Sequence, residues 1–207
     1  MKKKTPNAQR PTPNVQCRGA FTLIELLVVI AIIAILLGLV FPVFQGVLER
    51  AKKVQAKNDL TQIVTAVNAY YTEYGRYPIV TDDTPLANTS DLFYTLRAVA
   101  SGANAANATN TRQVVFISPG EDATQPISKG KIGGDGQFYD PWGQAYQIAI
   151  DGTYDNQIAN PYGNNTGAGA DPVRQGVIAW SYGKDQTKGT KNGSSNFTGS
   201  DDVISWQ

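Results

Sequence analysis

Glu25 is the only charged residue between Phe21 and Phe41, in the stretch FTLIELLVVIAIIAILLGLVF. A carboxylate at that depth in hydrocarbon costs roughly 2.5–3.5 kcal/mol on insertion-based scales. A segment built only to span a membrane has no use for it. The chemistry it offers is ionic: a carboxylate kept for a cation that arrives after insertion. The plainer reading is an anchor whose Glu snorkels to the interface. Catalytic chemistry has little to stand on. The chain has no histidine, which excludes His-based triads and His metal sites. Its one cysteine, Cys17, precedes the apolar run. The glycines from Gly130 to Gly136 lack the Lys-Ser/Thr ending of a phosphate loop. No enzyme is expected.

The element that must position Glu25 is the apolar run itself. From Phe21 to Phe41 it would make about 31 Å of helix, close to the ~30 Å hydrocarbon core of a bilayer. A secretory signal has a shorter apolar core followed by small residues. Here Gly19 and Ala20 come before the run, and Cys17 also lies on the wrong side for a lipoprotein. The first 20 residues hold Lys2, Lys3, Lys4, Arg10 and Arg18, five of the 18 bases and none of the 17 acids. Lys and Arg beside a span keep their side cytoplasmic, so residues after the span should be translocated. Pro6, Pro11 and Pro13 suit an extended, disposable leader. Without it, 13 bases face 17 acids, a net charge near −4 that suggests no nucleic-acid partner.

Pro42 marks the change from apolar to polar sequence and should kink or open the helix, with Gly46 a second soft point. Beyond it, Phe44, Val47, Ala51, Val54, Leu60, Ile63, Val64, Val67, Tyr70, Tyr71 and Tyr74 recur mostly at three- and four-residue steps. That spacing predicts a half-buried helix, stopped by Gly75 and Pro78. The expected first element is one helix of about 50 residues, half apolar and half amphipathic. Arg50, Lys52, Lys53 and Lys57 on it read either as a solvated face or as partners for acids on other subunits. Further on, Thr89-Ser90-Asp91 offers caps for a short helix carrying Leu92, Phe93, Leu96 and Val99. Residues 101–111 read as a loop or frayed helix end, 113–118 as a short strand or extended loop, and 120–136 as connection. Strands are expected at 145–150 and 176–182, with an extended end at 203–206. A Gly/Asn/Asp-rich loop lies at 151–172.

The stretch Ala20-Phe21-Thr22-Leu23-Ile24-Glu25-Leu26 resembles the prepilin processing site of type IV pilins and type II secretion pseudopilins. The resemblance implies cleavage between Ala20 and Phe21 by a prepilin peptidase, N-methylation of Phe21, and Glu25 as the fifth mature residue. The family usually has Gly before the cut, whereas here Gly19 stands one position early. The Glu25 carboxylate would then meet the N-terminal ammonium of a neighbouring subunit, fixing register in the filament.

A second resemblance, to the major pseudopilin of type II secretion, rests on three stretches: residues 71–78 (YTEYGRYP), 138–146 (FYDPWGQAY), and the tail with Ser181-Tyr182-Gly183-Lys184-Asp185, Gly199-Ser200-Asp201-Asp202 and Ser205-Trp206. It implies calcium held by Asp185, Asp201, Asp202 and the Tyr182 carbonyl, in keeping with calcium's need for six to eight hard oxygen ligands. The segment from Gln186 to Ser200 is longer and richer in Ser, Asn and Gly than the family pattern. The implied fold is α+β: a long N-terminal helix packed on a small antiparallel sheet with long loops. The implied divisions are a leader at 1–20, a membrane and assembly half at 21–41, an amphipathic half at 42–75 and a soluble domain at 76–207. The implied role is a structural subunit of an inner-membrane and periplasmic pseudopilus. Its partners would be further copies of itself, a prepilin peptidase, minor pseudopilins, and an inner-membrane platform with its ATPase. The alternatives are a type IV pilin forming a surface fibre, and a non-polymerising membrane-anchored domain that binds through its exposed 151–172 loop.

Overall fold

The computed structural model describes residues 21–164, 166–190 and 196–207, without the side chains of 39–45. The leader, with Cys17 and the Ala20 side of the expected cleavage bond, lies outside the described residues. Helix α1 spans Leu23–Tyr74, 52 residues, and ends where Gly75 takes φ +67° and its amide bonds back to the Tyr71 carbonyl at 2.8 Å. That left-handed glycine is the αL stop expected of a helix C-terminus. The helix is assigned without a break across Pro42 and Gly46, where a kink or opening was expected. One missing amide donor removes a single ladder bond, which a long helix can absorb. The Pro42 side chain itself lies outside the described residues.

The chain divides into two compact units between Gly46 and Val47. In the first, the apolar side chains from Leu23 to Leu37 are exposed. Among the described residues, no helix is long and apolar enough to cross a membrane; the described side chains of the apolar run stop at Gly38.

The second unit is built on the rest of α1. Ala56, Leu60, Ile63, Ala66, Val67 and Tyr70 are buried, a three-and-four spacing that gives one face of a helix. Val47, Ala51 and Val54, expected on that face, are exposed. The packed face therefore starts at Ala56, later than the apolar pattern suggested. Helix α2, Ser90–Leu96, adds Leu92, Phe93 and Leu96 to the same core. Thr89 is its N-cap and accepts the Phe93 amide through its carbonyl at 3.1 Å, but its side chain makes no cap bond; the Asn88 carboxamide oxygen accepts the Ser90 amide at 2.8 Å. A 3₁₀ turn follows at Gly102–Asn107, inside the stretch expected to be loop or frayed helix. Residues 113–118 form no strand. Two residues of the expected connection, β1 (Glu121–Asp122), pair in parallel with β2 (Ile132–Gly133).

The main sheet is β3 (Gln147–Ile150), β4 (Val177–Ser181) and β5 (Val203–Ile204), all antiparallel, in the order β3-β4-β5. Its side chains alternate with period two, so successive residues serve opposite faces. Ile148, Ile150, Val177, Ala179 and Val203 face the core shared with α1 and α2. Ala149, Ile178, Trp180 and Ile204 join a second core with Ile158, Tyr162, Ala168 and Val173. The 151–172 segment is a loop, as expected, but it does not offer the freely exposed surface that the non-polymerising alternative needed. It is instead the lid of the sheet's outer face, with Ile158, Tyr162 and Ala168 buried within it.

Candidate functional site

At the start of α1, Thr22 and Glu25 form a reciprocal pair. The Thr22 amide and hydroxyl both donate to Glu25 Oε2, at 2.8 and 2.7 Å, and the Glu25 amide donates to Thr22 Oγ1 at 3.3 Å. This is a capping box, in which an N-cap hydroxyl and the residue three positions on satisfy each other's amides. The Thr-x-x-Glu spacing was readable in the sequence and carries a role for Glu25 inside its own subunit. Phe21 stands beside it, 80% exposed.

The second site lies between β4 and β5. Asp185, Asp201 and Asp202 bring one carboxylate oxygen each within 4.8 Å of one another. Each carboxylate also accepts hydrogen bonds. Asp185 Oδ1 accepts from the Thr187 amide at 3.0 Å and its hydroxyl at 2.9 Å. Asp201 Oδ2 accepts from the amides of Lys184 and Asp185. Asp202 Oδ2 accepts from the Tyr162 hydroxyl at 2.6 Å and the Gly189 amide at 2.8 Å. The remaining Asp202 Oδ1 is buried and has no hydrogen-bond partner among the described residues. A carboxylate oxygen left so is costly unless a cation or donor meets it. Burial, with Asp201 and Asp185 nearby, holds the Asp202 carboxyl above its ordinary range against the pull of its two donors. Burial and the bond to Asp202 push the Tyr162 phenol up as well. The set consists wholly of hard oxygen ligands, the donor type that calcium prefers. The Tyr182 ring packs partly buried on the second core, and the chain then turns through Gly183. Gly183 sits at φ +68°, and a Cβ there would come within 2.5 Å of the Asp201 carbonyl oxygen, so this approach of the two strands' ends needs glycine. Tyr162, which no motif or spacing singles out, is the buried residue that orients Asp202.

A further acidic group, Asp83, Asp151 and Asp155, is as close-set but already occupied. Asp151 Oδ1 accepts from the Asp155 amide at 3.2 Å, and its Oδ2 from the Asn156 amide at 2.7 Å. Asp83 accepts from Thr153, and Asp155 from the Gln157 amide. Those carboxylates build turns.

Asp140 heads the turn before β3. Its Oδ1 accepts the amides of Trp142, Gly143 and Gln144 at 2.9, 2.7 and 2.9 Å, and its Oδ2 accepts the Ser181 hydroxyl at 2.6 Å. Trp142 is buried in the core, as its size suggested, and its indole Nε1 donates to Glu49 Oε2 on α1 at 3.0 Å. Of the basic residues on α1, Lys52 meets Glu49 at 3.5 Å. Lys57 turns inward and donates to the main-chain carbonyl of Ile204 at 2.8 Å and to that of Gln207. Arg50 is exposed.

Residues 16–41 match the family pattern described as the prokaryotic N-terminal methylation motif. Over 64 residues the chain is 42% identical to the type IV major pilin protein PilA of Myxococcus xanthus, covering 31% of this chain and 29% of that protein. It is 38% identical over 58 residues to the type II secretion system core protein G of Pectobacterium carotovorum, covering 28% and 37%. It is 35% identical over 88 residues to the fimbrial protein EcpC of Eikenella corrodens, covering 42% and 58%. The chain thus spans less than two thirds of the length of each of these relatives. No solved structure matches. With a prepilin-type motif at its N-terminus, pilins and a secretion core protein among its relatives, and a long helix packed on a small antiparallel sheet, the chain is similar to type IV pilins and pseudopilins.

Proposed function

We propose that this chain is a structural subunit, processed by a prepilin peptidase and polymerised into the periplasmic pseudopilus of a type II secretion system. The observation that carries the reading towards secretion is the cluster of Asp185, Asp201 and Asp202 together with the Asp140–Gln144 turn, which lie in two of the three stretches on which the resemblance to major pseudopilins rests. In this reading the peptidase cuts between Ala20 and Phe21 and methylates Phe21. The apolar run holds the subunit in the inner membrane with its C-terminal domain in the periplasm. A platform protein and its ATPase then extract it into the filament, which minor pseudopilins join. Glu25 supplies the acceptor for the ammonium of a neighbouring Phe21.

The carboxylate cluster fits calcium, since it offers three hard anions and one buried oxygen without a partner among the described residues. Asp185, Asp201 and Asp202 would hold the ion, with the Tyr182 carbonyl as a main-chain ligand. The ion would supply positive charge that relieves their mutual repulsion. Tyr162 and the amides of Lys184, Asp185 and Gly189 keep the carboxylates aimed.

A surface type IV pilin is the second reading, favoured by the similarity to the Myxococcus xanthus pilin. Expression with a cognate secretion system, followed by electron microscopy of intact cells and of periplasmic fractions, separates the two. Filaments confined to the envelope support the pseudopilus; long surface fibres overturn it in favour of the pilus. The absence of any filament overturns both. Glu25→Val tests the pairing: the variant inserts, having lost a charge from the span, and filament yield falls at least tenfold. Equal assembly would remove Glu25 from the mechanism.

A further inference from the structure

The Glu49–Trp142 contact and the Ser181–Asp140 contact have no role in the function proposed so far. Both lie on a continuous path between the carboxylate cluster and α1. At one end, Asp201 Oδ2 holds the amides of Lys184 and Asp185, and Gly183 lies against the Asp201 backbone. The Gly183 amide donates to Ser181 Oγ at 3.0 Å, and Ser181 Oγ donates to the buried Asp140 at 2.6 Å. Asp140 organises the turn that carries Trp142, whose indole is bonded to Glu49. A second branch is shorter: Lys184 Nζ lies 3.9 Å from Glu49 Oε1. Lys53 of α1 and Asp185 and Asp201 of the cluster line one open cavity. Glu49 is therefore the point where both branches reach α1, in the first turn of the second unit and ahead of Ala56, where the helix begins to be buried.

We propose that the carboxylate cluster is a cation-operated clamp on the base of α1, in which filling Asp185, Asp201 and Asp202 fixes Gly183 and Lys184 and thereby locks the Asp140–Gln144 turn and Glu49 together. The proposal rests on the reading of the cluster as a cation site. The seven residues of α1 from Val47 to Lys53 are otherwise held to the domain by few apolar contacts, since Val47, Leu48 and Ala51 are exposed. Polar contacts made through Glu49 are then what holds this segment. Without a cation, three carboxylates repel one another, the amides of Lys184 and Asp185 lose a fixed acceptor, and both branches loosen. With it, order at the loop is passed to the helix as a coupling between two sites that share one set of hydrogen bonds.

Hydrogen–deuterium exchange of the full processed chain in detergent, in millimolar calcium and in chelator, tests this. Calcium should slow exchange in peptides covering 183–190 and 199–204, and also in those covering 47–55 and 139–144. For the last two the expected slowing is about fivefold, at the low end of measured allosteric couplings. In Glu49→Ala and in Ser181→Ala, calcium should still protect the loop peptides, with its effect on 47–55 reduced in each. A merely structural role would change exchange equally with and without calcium. Protection of the loop with no change at 47–55 in the unaltered chain overturns the clamp and leaves the cation site standing. No protection by calcium at any peptide overturns the cation reading and the clamp with it.

Discussion

Asp59 offers the sharpest test of how α1 is held. The residue is 8% exposed on the packed face of the helix, and its carboxylate accepts a hydrogen bond from the Tyr146 hydroxyl at 2.9 Å. Burial is the main cause that raises its pKa from 3.8 to about 6; the Tyr146 bond pulls the other way, and nearby Asp140 adds to the rise. The folded chain therefore binds this proton more tightly than the unfolded chain. Stability from this group is fully present below about pH 3.8 and is lost as pH rises through about 6. A shift of about two units, at about 1.36 kcal/mol each, sets the loss at neutral pH near ~3 kcal/mol. Asp59→Asn keeps an oxygen for Tyr146 and removes the charge. After the amide's own desolvation, the variant should be more stable than the unaltered chain by about 2 kcal/mol at pH 7, or roughly 4–8 °C in melting temperature. At pH 4 the two should melt together. Thermal unfolding followed by circular dichroism, on the processed chain in detergent between pH 4 and 8, reads both numbers. An Asn variant that melts lower at pH 7, or a difference that does not change with pH, would refute the argument.

Three other outcomes follow from the same structure. Calcium at a hundredfold excess over its Kd should stabilise the chain by about 2.7 kcal/mol, so a chelator should lower the melting temperature by several degrees, and Asp185→Ala should abolish that difference. Thr22→Val removes a capping hydroxyl, and the first turn of α1 should lose about 1 kcal/mol of local stability, read as faster amide exchange at 23–26 with insertion unchanged. Lys57→Met keeps the aliphatic stem but leaves the Ile204 and Gln207 carbonyls without their donor; the C-terminal segment from Val203 should exchange faster, and global stability should fall by about 1–3 kcal/mol.

What the sequence made legible was whatever local period or local chemistry decides. The 3.6-residue spacing of Leu60, Ile63, Val67 and Tyr70 placed α1 on its core, and short apolar runs located β3 and β4 within two residues. Long-range pairing was not legible. Nothing near Tyr162 in sequence announces that it will hold Asp202 forty residues away, and nothing at Glu49 announces Trp142. The 151–172 segment misled because Gly, Asn and Asp mark turns while Ile158, Tyr162 and Ala168 are too widely spaced for either regular period. Val47, Ala51 and Val54 misled in the opposite way, since their spacing is helical but the domain offers them no partner.

If the chain waits in a membrane before assembly, as proposed, the box formed by Thr22 and Glu25 bears on how such a reserve of subunits would be kept. A bare carboxylate in a bilayer would seek any cation or any second helix, and stray pairs would form before an assembly machine could choose among them. Here the anion is already satisfied at home by an amide and a hydroxyl, both neutral. An incoming ammonium makes a charge-assisted bond about twice as strong as a neutral one. Under the proposed function, a stored subunit would thus be quiet towards weak suitors and would yield to one offering full charge in the right place. The same latch would make release forgiving: a subunit returning to the membrane would close its own ring again, and a filament could be dismantled without stranding a charge in oil.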